Sequence, residues 1–150
     1  MSRPIILDTD IGTDVDDAFA LVMAVKEPEI DLLAVSTVYG DVDLRARMAR
    51  KLLDILDRSD IPVASGNRMP LLDGKNTYWG GWEGKRFLTP EDDGLAYEAR
   101  DAVEFIYSLL MSSEEKVTLV GIGPLTNFAI LLKDHPDAHA KIREMICMAG

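Results

Sequence analysis

One stretch near the amino terminus decides the fold: residues 5–23, which read IILDTDIGTDVDDAFALVM. The apolar residues Ile5 to Leu7 predict a short buried strand, and the run from Ala18 to Met23 predicts a helix. Between them, residues 8–17 contain five aspartates and one glycine, Gly12, a composition typical of a loop. We call residues 8–17 the acidic segment, and we expect it to join the first strand to the first helix.

Short apolar runs and helical spacing alternate along the rest of the chain. Strands are predicted at Ile5–Leu7, Leu32–Val38, Pro62–Ala64, Val117–Val120 and Met145–Met148. Helices are predicted over residues 43–56 and 102–111, and the basic residues of the first one are expected to face water: Arg45, Arg47, Arg50 and Lys51. This alternation predicts an α/β fold with an open, mainly parallel sheet and helices on both faces.

Three loops follow predicted strands at what would be the same edge of the sheet. They are the acidic segment, Tyr39–Asp41 and Gly121–Pro124. Ligands of such sheets bind beyond the carboxyl ends of the strands. Because clustered carboxylates repel one another unless a cation or a proton neutralises them, the acidic segment predicts a site for a hard divalent metal ion. The alternative is that Asp14 or Asp16 only caps the following helix.

Composition limits the class of protein. The chain has 150 residues, the size of one domain, and its net charge of −10 argues against non-specific nucleic-acid binding. Residues 1–4 lead straight into the first strand, and no apolar stretch is long enough to cross a bilayer. The single cysteine, Cys147, lies in an apolar segment, so we expect it to be a small buried side chain and the protein to be cytoplasmic.

The segment from residue 66 to residue 94 interrupts the alternation of strands and helices. It is rich in glycine, asparagine and proline and includes Tyr78, Trp79 and Trp82. A loop of this length in a compact domain is typical of either an active-site lid or a disordered insertion, and the tryptophans favour a lid. The aromatic side chains could stack on a sugar or a base, or they could anchor the loop to the core.

The acidic segment also resembles the nucleophile motif of haloacid-dehalogenase-type phosphatases. That motif places two aspartates, one residue apart, after the first strand, as Asp8 and Asp10 are here. In this alternative Asp8 would be the nucleophile and would carry a covalent phosphate. The match is imperfect, because Gly12 stands where the motif has threonine or valine.

Four ordered motifs over the whole chain resemble the inosine-uridine-preferring nucleoside hydrolases. They are residues 6–12 followed by Asp16-Asp17-Ala18, residues 36–41 (STVYGD), residues 121–127 (GIGPLTN), and His135-Pro136 with Met148-Ala149-Gly150. Two departures are an isoleucine, Ile11, in place of the usual proline and two extra residues before Asp16, which leave the role of Asp14 open. Members of that family are about twice as long, so the resemblance implies the amino-terminal half of a single domain, spanning residues 1–150.

The resemblance implies a fold that holds one Ca²⁺ at the base of a ribonucleoside pocket. Carried over residue by residue, it makes Asp10 a metal ligand and the base that activates the attacking water, and Asp17 a second metal ligand. The main-chain oxygen of Ile122 would be a further ligand, and Asp16 and Asp41 would bind ribose hydroxyls. The implied reaction is hydrolysis of the N-glycosidic bond of ribonucleosides.

The missing half would carry a further metal-ligating aspartate and the group that protonates the leaving base. We therefore expect either a chain that works with its carboxy-terminal half or in a homo-oligomer, or a non-catalytic remnant that serves as a partner subunit. Exposed apolar surface where the second half would dock is the feature expected of an incomplete fold.

Overall fold

The computed structural model of the chain describes residues 2–72 and 79–148. Five strands lie within this part of the chain: β1 (Arg3–Thr9), β2 (Ile30–Thr37), β3 (Val63–Ser65), β4 (Val117–Gly121) and β5 (Ile142–Cys147). Four α-helices connect them: α1 (Asp16–Lys26), α2 (Val42–Ile55), α3 (Ala102–Ser112) and α4 (Thr126–Asp134). Short 3-10 helices lie at Pro90–Gly94 and Pro136–Lys141.

The sheet is parallel, with the order β3-β2-β1-β4-β5. The predicted α/β fold class and the five predicted strands are confirmed, although β5 begins three residues before the expected position. Helix α4 begins at Thr126, within the motif at residues 121–127, and was not predicted from spacing. Because β1 is central, the loops that follow β1, β2 and β4 meet at one edge of the sheet.

Alternating side chains of β1 enter two separate cores, one on each face of the sheet. Ile5 and Leu7 pack with Leu21 of α1 and Leu53 of α2. Ile6 instead packs with a group from α3, β4 and α4 that includes Val103, Ile106, Leu119 and Phe128. This is the two-residue period of a strand buried on both faces. The packing on both faces fixes the direction in which the acidic segment leaves β1.

The prediction that the basic residues of α2 face water is wrong for two of the four. Arg45 is fully buried, and Arg50 is 8% exposed. Arg45 lies three residues after the buried Val42 and four before the buried Ala49, so helical geometry places it on the core face. Arg47 and Lys51 are partly exposed and pair with Asp93 and Asp92, respectively.

One face of the sheet is open beside the edge strand β5. The apolar side chains of Val15, just before α1, and of Phe19 and Met23 on α1 are 65%, 63% and 70% exposed. Between α1, β4 and β5 lies a groove of about 570 Å³ with mostly apolar walls, which include Leu7, Val120, Ile122 and Ile146. The structure therefore leaves apolar surface uncovered on this side.

Cys147 lies at the end of β5 and is exposed, so the expectation that it is buried is wrong. The physical reason is that β5 is an edge strand whose residues 143–147 are all exposed. Within residues 2–72 and 79–148, no helix combines the length and the apolar character needed to cross a membrane.

Candidate active site

The loops that follow β1 and β4 touch each other at the carboxyl edge of the sheet. Asp8 of β1 pairs with Gly121 of β4, and the Ile122 amide donates to the Asp8 carbonyl at 2.9 Å. Gly123 then passes so close to Asp10 that a Cβ atom on it would lie 2.8 Å from Asp10 Oδ1 and 2.9 Å from the Asp10 nitrogen. Glycine at position 123 therefore leaves the space beside the Asp10 carboxylate free of side chain.

Asp17 is brought to the same place by the first turn of α1. It is buried, and its Oδ1 accepts a hydrogen bond from Thr9 Oγ1 at 2.5 Å. The Thr9 hydroxyl oxygen in turn accepts from the Ile11 amide at 3.0 Å. One threonine at the end of β1 thus holds both the start of the loop and the carboxylate on the helix.

Burial and mutual repulsion act on these carboxylates. Burial raises the pKa of Asp17 to about 6, with the negative charges of Asp10 and Asp16 adding to the rise and the Thr9 hydrogen bond opposing it. Burial also raises the pKa of Asp10, against the opposing effect of Arg45 and with the help of Asp16 and Asp14. The two carboxylates therefore form a pair whose negative charge is costly unless a cation accompanies it.

Asp8 lies beneath this pair and is fully buried. Its Oδ1 accepts from Ser36 Oγ at 2.5 Å and from Asn127 Nδ2 at 2.8 Å, while its buried Oδ2 has no hydrogen-bond partner in the part of the chain that the structure describes. Burial raises its pKa to about 7, although both hydrogen bonds oppose the rise. A phosphatase nucleophile has to reach its substrate, so the burial of Asp8 argues against the phosphatase alternative.

Asn127, at the start of α4, links several segments below the site. Besides its bond to Asp8, its Nδ2 donates to the Thr37 carbonyl at 3.0 Å, and its Oδ1 accepts from the Asn67 amide at 2.9 Å. Sequence spacing gave no signal for these contacts, because they join positions 60 to 119 residues apart. Asn127 holds the ends of β1 and β2 and the segment after β3 in register.

The other predicted site residues lie at the same edge in different surroundings. Asp16 is exposed at the first position of α1, and Asp14 is exposed in the loop before it. Asp41 caps α2, since its Oδ1 accepts from the Leu44 amide at 3.1 Å, and Arg68 Nη1 lies 3.6 Å from the same oxygen. The structure thus brings Asp10, Asp17 and the turn at Ile122 together, while Asp16 and Asp41 lie at the starts of the two adjoining helices.

The donor set suits part of a metal shell. Among residues 2–72 and 79–148, no group of three or more His, Cys, Asp or Glu side chains is arranged to hold a metal ion. The Asp10 carboxylate lies beside the space that Gly123 leaves open, and its negative charge adds to the rise in the pKa of Asp17. Carboxylate and main-chain oxygens are the ligands that hard divalent cations prefer, so the residues fit such an ion as a partial set.

Arg45, which sequence reasoning placed in water, lies directly under the acidic segment. Its Nη1 donates to the carbonyl oxygens of Asp10 and Ile11, the latter at 2.8 Å, and its Nε donates to the Tyr39 carbonyl at 2.8 Å. Burial lowers the pKa of the guanidinium, and the nearby carboxylates, Asp10 foremost, act in the opposite direction. The helical spacing from Val42 was the signal that could have identified it.

The described part of the predicted lid packs against the same loops. Trp82 Nε1 donates to the Thr13 carbonyl at 3.2 Å, and the Arg45 guanidinium carbon lies 5.1 Å from the centre of the Trp79 ring. Beside these contacts, a cavity of about 510 Å³ lies between the described part of the lid and the acidic segment. Its walls include Met48, Trp82 and Phe87. Tyr78, also part of the predicted lid, lies outside the described residues.

A family model matches almost the whole chain. Residues 5–150 match the model described as inosine-uridine preferring nucleoside hydrolase. The chain belongs to this nucleoside hydrolase family. The resemblance carried by the four sequence motifs is thereby confirmed.

Individual nucleoside hydrolases match the chain over about half of their own length. The chain is 41% identical to the pyrimidine-specific ribonucleoside hydrolase RihA of Shewanella sp. (strain MR-7), with all of this chain and 48% of that protein covered. The RihA protein of Enterobacter sp. (strain 638) is also 41% identical, and 49% of it is covered. The chain therefore spans about half the length of the curated relatives it matches, as expected for half of a nucleoside hydrolase.

Solved nucleoside hydrolase structures share the fold. An inosine-guanosine nucleoside hydrolase superposes with a TM-score of 0.84 at 32% identity, covering 99% of this chain and 49% of that one. The inosine-uridine preferring nucleoside hydrolase of Bacillus anthracis gives a TM-score of 0.80 at 26% identity, covering 99% and 51%. The open parallel sheet described above is thus a fold that the chain shares with both structures.

Proposed function

We propose that this chain carries the metal and ribose side of a nucleoside N-ribohydrolase site, which hydrolyses ribonucleosides to ribose and free base with the help of Ca²⁺. The observation that carries the proposal is the contact between the two loops that hold Asp10 and Ile122, with Asp17 held beside them by Thr9. The names of the relatives cover both pyrimidine and purine nucleosides, so the proposed substrate class is ribonucleosides in general.

Asp10, Asp17 and the main-chain oxygen of Ile122 would hold the ion. When bound, calcium would supply the positive charge that lowers the pKa of a nearby water and aligns the ribose hydroxyls. Asp10 would take a proton from the attacking water, because it is half-buried and its pKa is raised above that of an ordinary aspartate. Asp17, held by Thr9, would keep its position during that transfer.

Asp16 and Asp41 would bind hydroxyl groups of the ribose. Both lie at the starts of helices at the carboxyl edge of the sheet, Asp16 within the acidic segment and Asp41 in the turn before α2. Cleavage of an N-glycosidic bond passes through an oxocarbenium-like transition state, and carboxylates around the sugar stabilise its positive charge. Sugar recognition is therefore the role that suits Asp16, which is exposed, and Asp41, which is partly exposed.

The remaining metal ligands and the acid for the leaving base would come from the half of the fold that the relatives have in addition. Two observations support this: the coverage of about half of each relative and the open apolar groove beside β5. The same groove supports the second candidate, a chain that serves as a non-catalytic partner subunit. The enzyme candidate predicts activity and the partner-subunit candidate predicts none, whereas both predict that a second polypeptide docks against this chain.

Calcium binding and ribose release by the purified chain test the proposal. Calorimetry with Ca²⁺ should show binding that Asp17→Asn weakens by at least about tenfold, because it removes the negative charge of one ligand. Asp31→Asn, which changes an exposed aspartate at the amino end of β2, is the matched control and should bind like the wild type.

Ribose release from inosine, uridine and cytidine is then measured with Ca²⁺ and with a chelator. Calcium-dependent release that Asp10→Asn abolishes would support the enzyme. Calcium binding without release would favour the partner subunit, and no calcium binding at all would contradict the proposed metal site.

A further inference from the structure

Arg45, on α2, connects the acidic segment with the Tyr39–Asp41 turn, two loops that are far apart in the sequence. Its Nη1 donates to the Asp10 and Ile11 carbonyls, its Nη2 donates to Thr13 Oγ1 at 3.2 Å, and its Nε donates to the Tyr39 carbonyl. Four acceptors on two loops thus share one guanidinium. A planar fork of fixed N–H groups can satisfy acceptors in this arrangement, whereas the single ammonium of a lysine cannot.

The same guanidinium contacts the described end of the predicted lid. Trp79 lies over Arg45, with the guanidinium carbon 5.1 Å from the ring centre. Gly40 makes this stacking feasible, because a Cβ atom on it would lie 2.8 Å from Trp79 Cε3. The position of the Trp79 ring is therefore tied to the Tyr39–Asp41 turn as well as to Arg45.

Residues 79–83, which we call the tryptophan segment, have further ties in this region. Glu83 is buried, and its Oε1 accepts from the Gly80 amide at 2.8 Å, which closes the segment on itself. Among residues 2–72 and 79–148 its buried Oε2 finds no hydrogen-bond partner, and its negative charge acts on Arg45. The cation of Arg45 thus lies between carboxylates of the acidic segment and a carboxylate of the tryptophan segment.

We propose that Arg45 is a positioning residue that locks the acidic segment, the Tyr39–Asp41 turn and the tryptophan segment into one unit, so that the geometry of Asp10 depends on the packing of Trp79. Arg45 acts through the main chain of Asp10 and Ile11, so it fixes where the Asp10 carboxylate points without touching substrate. The consequence for metal binding rests on the function proposed above. The coupling of the three segments does not.

Arg50 provides a matched control on the same helix. It is also buried, and it donates to the Ile61 carbonyl at 2.6 Å and to the Arg58 carbonyl at 3.2 Å, both in the connection to β3. Replacing either arginine by lysine keeps the charge and loses the fork. Only Arg45→Lys should alter the acidic segment, while both variants should lower the thermal unfolding midpoint.

The coupling is measured in calcium-free protein by acrylamide quenching in the Trp82→Phe background, where Trp79 is the only tryptophan. Arg45→Lys should make Trp79 more accessible to the quencher, and Arg50→Lys should not. Equal quenching in the two variants would overturn the inference. This readout does not depend on metal binding or activity.

Calcium affinity provides the second readout, taken in the wild-type tryptophan background. Arg45→Lys should weaken calcium binding by about 10–100-fold, the range found for residues that orient metal ligands, while Arg50→Lys should leave it unchanged. Trp79→Leu should weaken it in the same direction with Arg45 intact, and Trp79→Phe, which keeps an aromatic ring over the guanidinium, should restore most of the loss. Unchanged affinity in Trp79→Leu would refute the coupling to Asp10, whereas absent binding by the wild-type chain would instead refute the proposed metal site.

Discussion

At the scale of single residues, the site depends on small groups that allow close approach. Thr9 accepts from the loop and donates to Asp17, so one hydroxyl fixes two parts of the site. Gly123 contributes by the absence of a side chain, since its neighbour is the Asp10 carboxylate. These contacts are the ones on which the proposed metal site depends most directly.

Gly123→Ala should impair the proposed site without unfolding the protein. The added methyl would lie 2.8 Å from Asp10 Oδ1, so the carboxylate has to move away from the Ile122 turn. We expect calcium affinity, measured by calorimetry, to fall by about tenfold or more, as when the geometry of a ligand is disturbed. Gly94→Ala is the control, because apart from the two neighbours in the chain no atom of the described residues lies within 4 Å of the added methyl. Equal affinities in the two variants would show that the two loops do not jointly form the site.

At the scale of elements, the strand ends are held together by buried polar contacts. Asn127 at the start of α4 reaches Asp8 of β1 and the Thr37 carbonyl at the end of β2, and Ser36 of β2 also reaches Asp8. These bonds cross between neighbouring strands at the edge where the loops emerge. These hydrogen bonds make the edge of the sheet rigid, and the rigid edge fixes the positions at which the loops begin.

Asn127→Leu should be strongly destabilising. It removes the partner of the Asn67 amide, one of the two partners of Asp8 and one of two donors to the Thr37 carbonyl, which keeps the Gly66 amide, and a buried polar group left unpaired costs about 1–3 kcal/mol. We expect the free energy of unfolding, measured with urea, to fall by about 3 kcal/mol or more. Ser108→Ala, at an exposed position of α3, should change it by less than about 0.5 kcal/mol. A small effect of Asn127→Leu would mean that water or a neighbouring side chain replaces the amide.

At the scale of the whole molecule, the two faces of the sheet differ. The face below α3 and α4 is closed by the core around Phe128, whereas the groove between α1, β4 and β5 is open. Contiguous exposed apolar surface of this kind marks a binding surface rather than ordinary solvent-facing structure. One face of the sheet is therefore covered by helices, whereas the other face has apolar surface that is suited to covering by further polypeptide.

The open groove should bind an apolar fluorescent dye such as anilinonaphthalene sulfonate in the folded protein. Ile146→Glu places a charge in the wall of the groove and should reduce the dye fluorescence. Ile55→Glu changes a side chain that is 61% exposed at the end of α2, outside the groove, and should have little effect. Equal dye binding by the wild type and Ile146→Glu would show that the groove is not the apolar surface the dye detects.

Local features of the structure were predictable from the sequence. The order of strand, acidic loop and helix over residues 5–23 follows from apolar runs of different length, and the parallel sheet follows from their repetition. The placement of Asp10 and Ile122 at one edge follows from the topology of parallel strands. The family resemblance rested on motifs at these same strand ends.

Only the tertiary structure decided which side chains are buried and what they contact. Arg45 is bonded to main-chain atoms 34 and 35 residues away, and Cys147 is exposed because β5 lies at the edge of the sheet. The physical reason is the distance along the chain over which each effect acts. Periodicity and turn composition act between residues a few positions apart, so they can be recognised in the sequence. The burial of a charge depends on partners that long-range packing supplies, and those partners exist only in the folded chain.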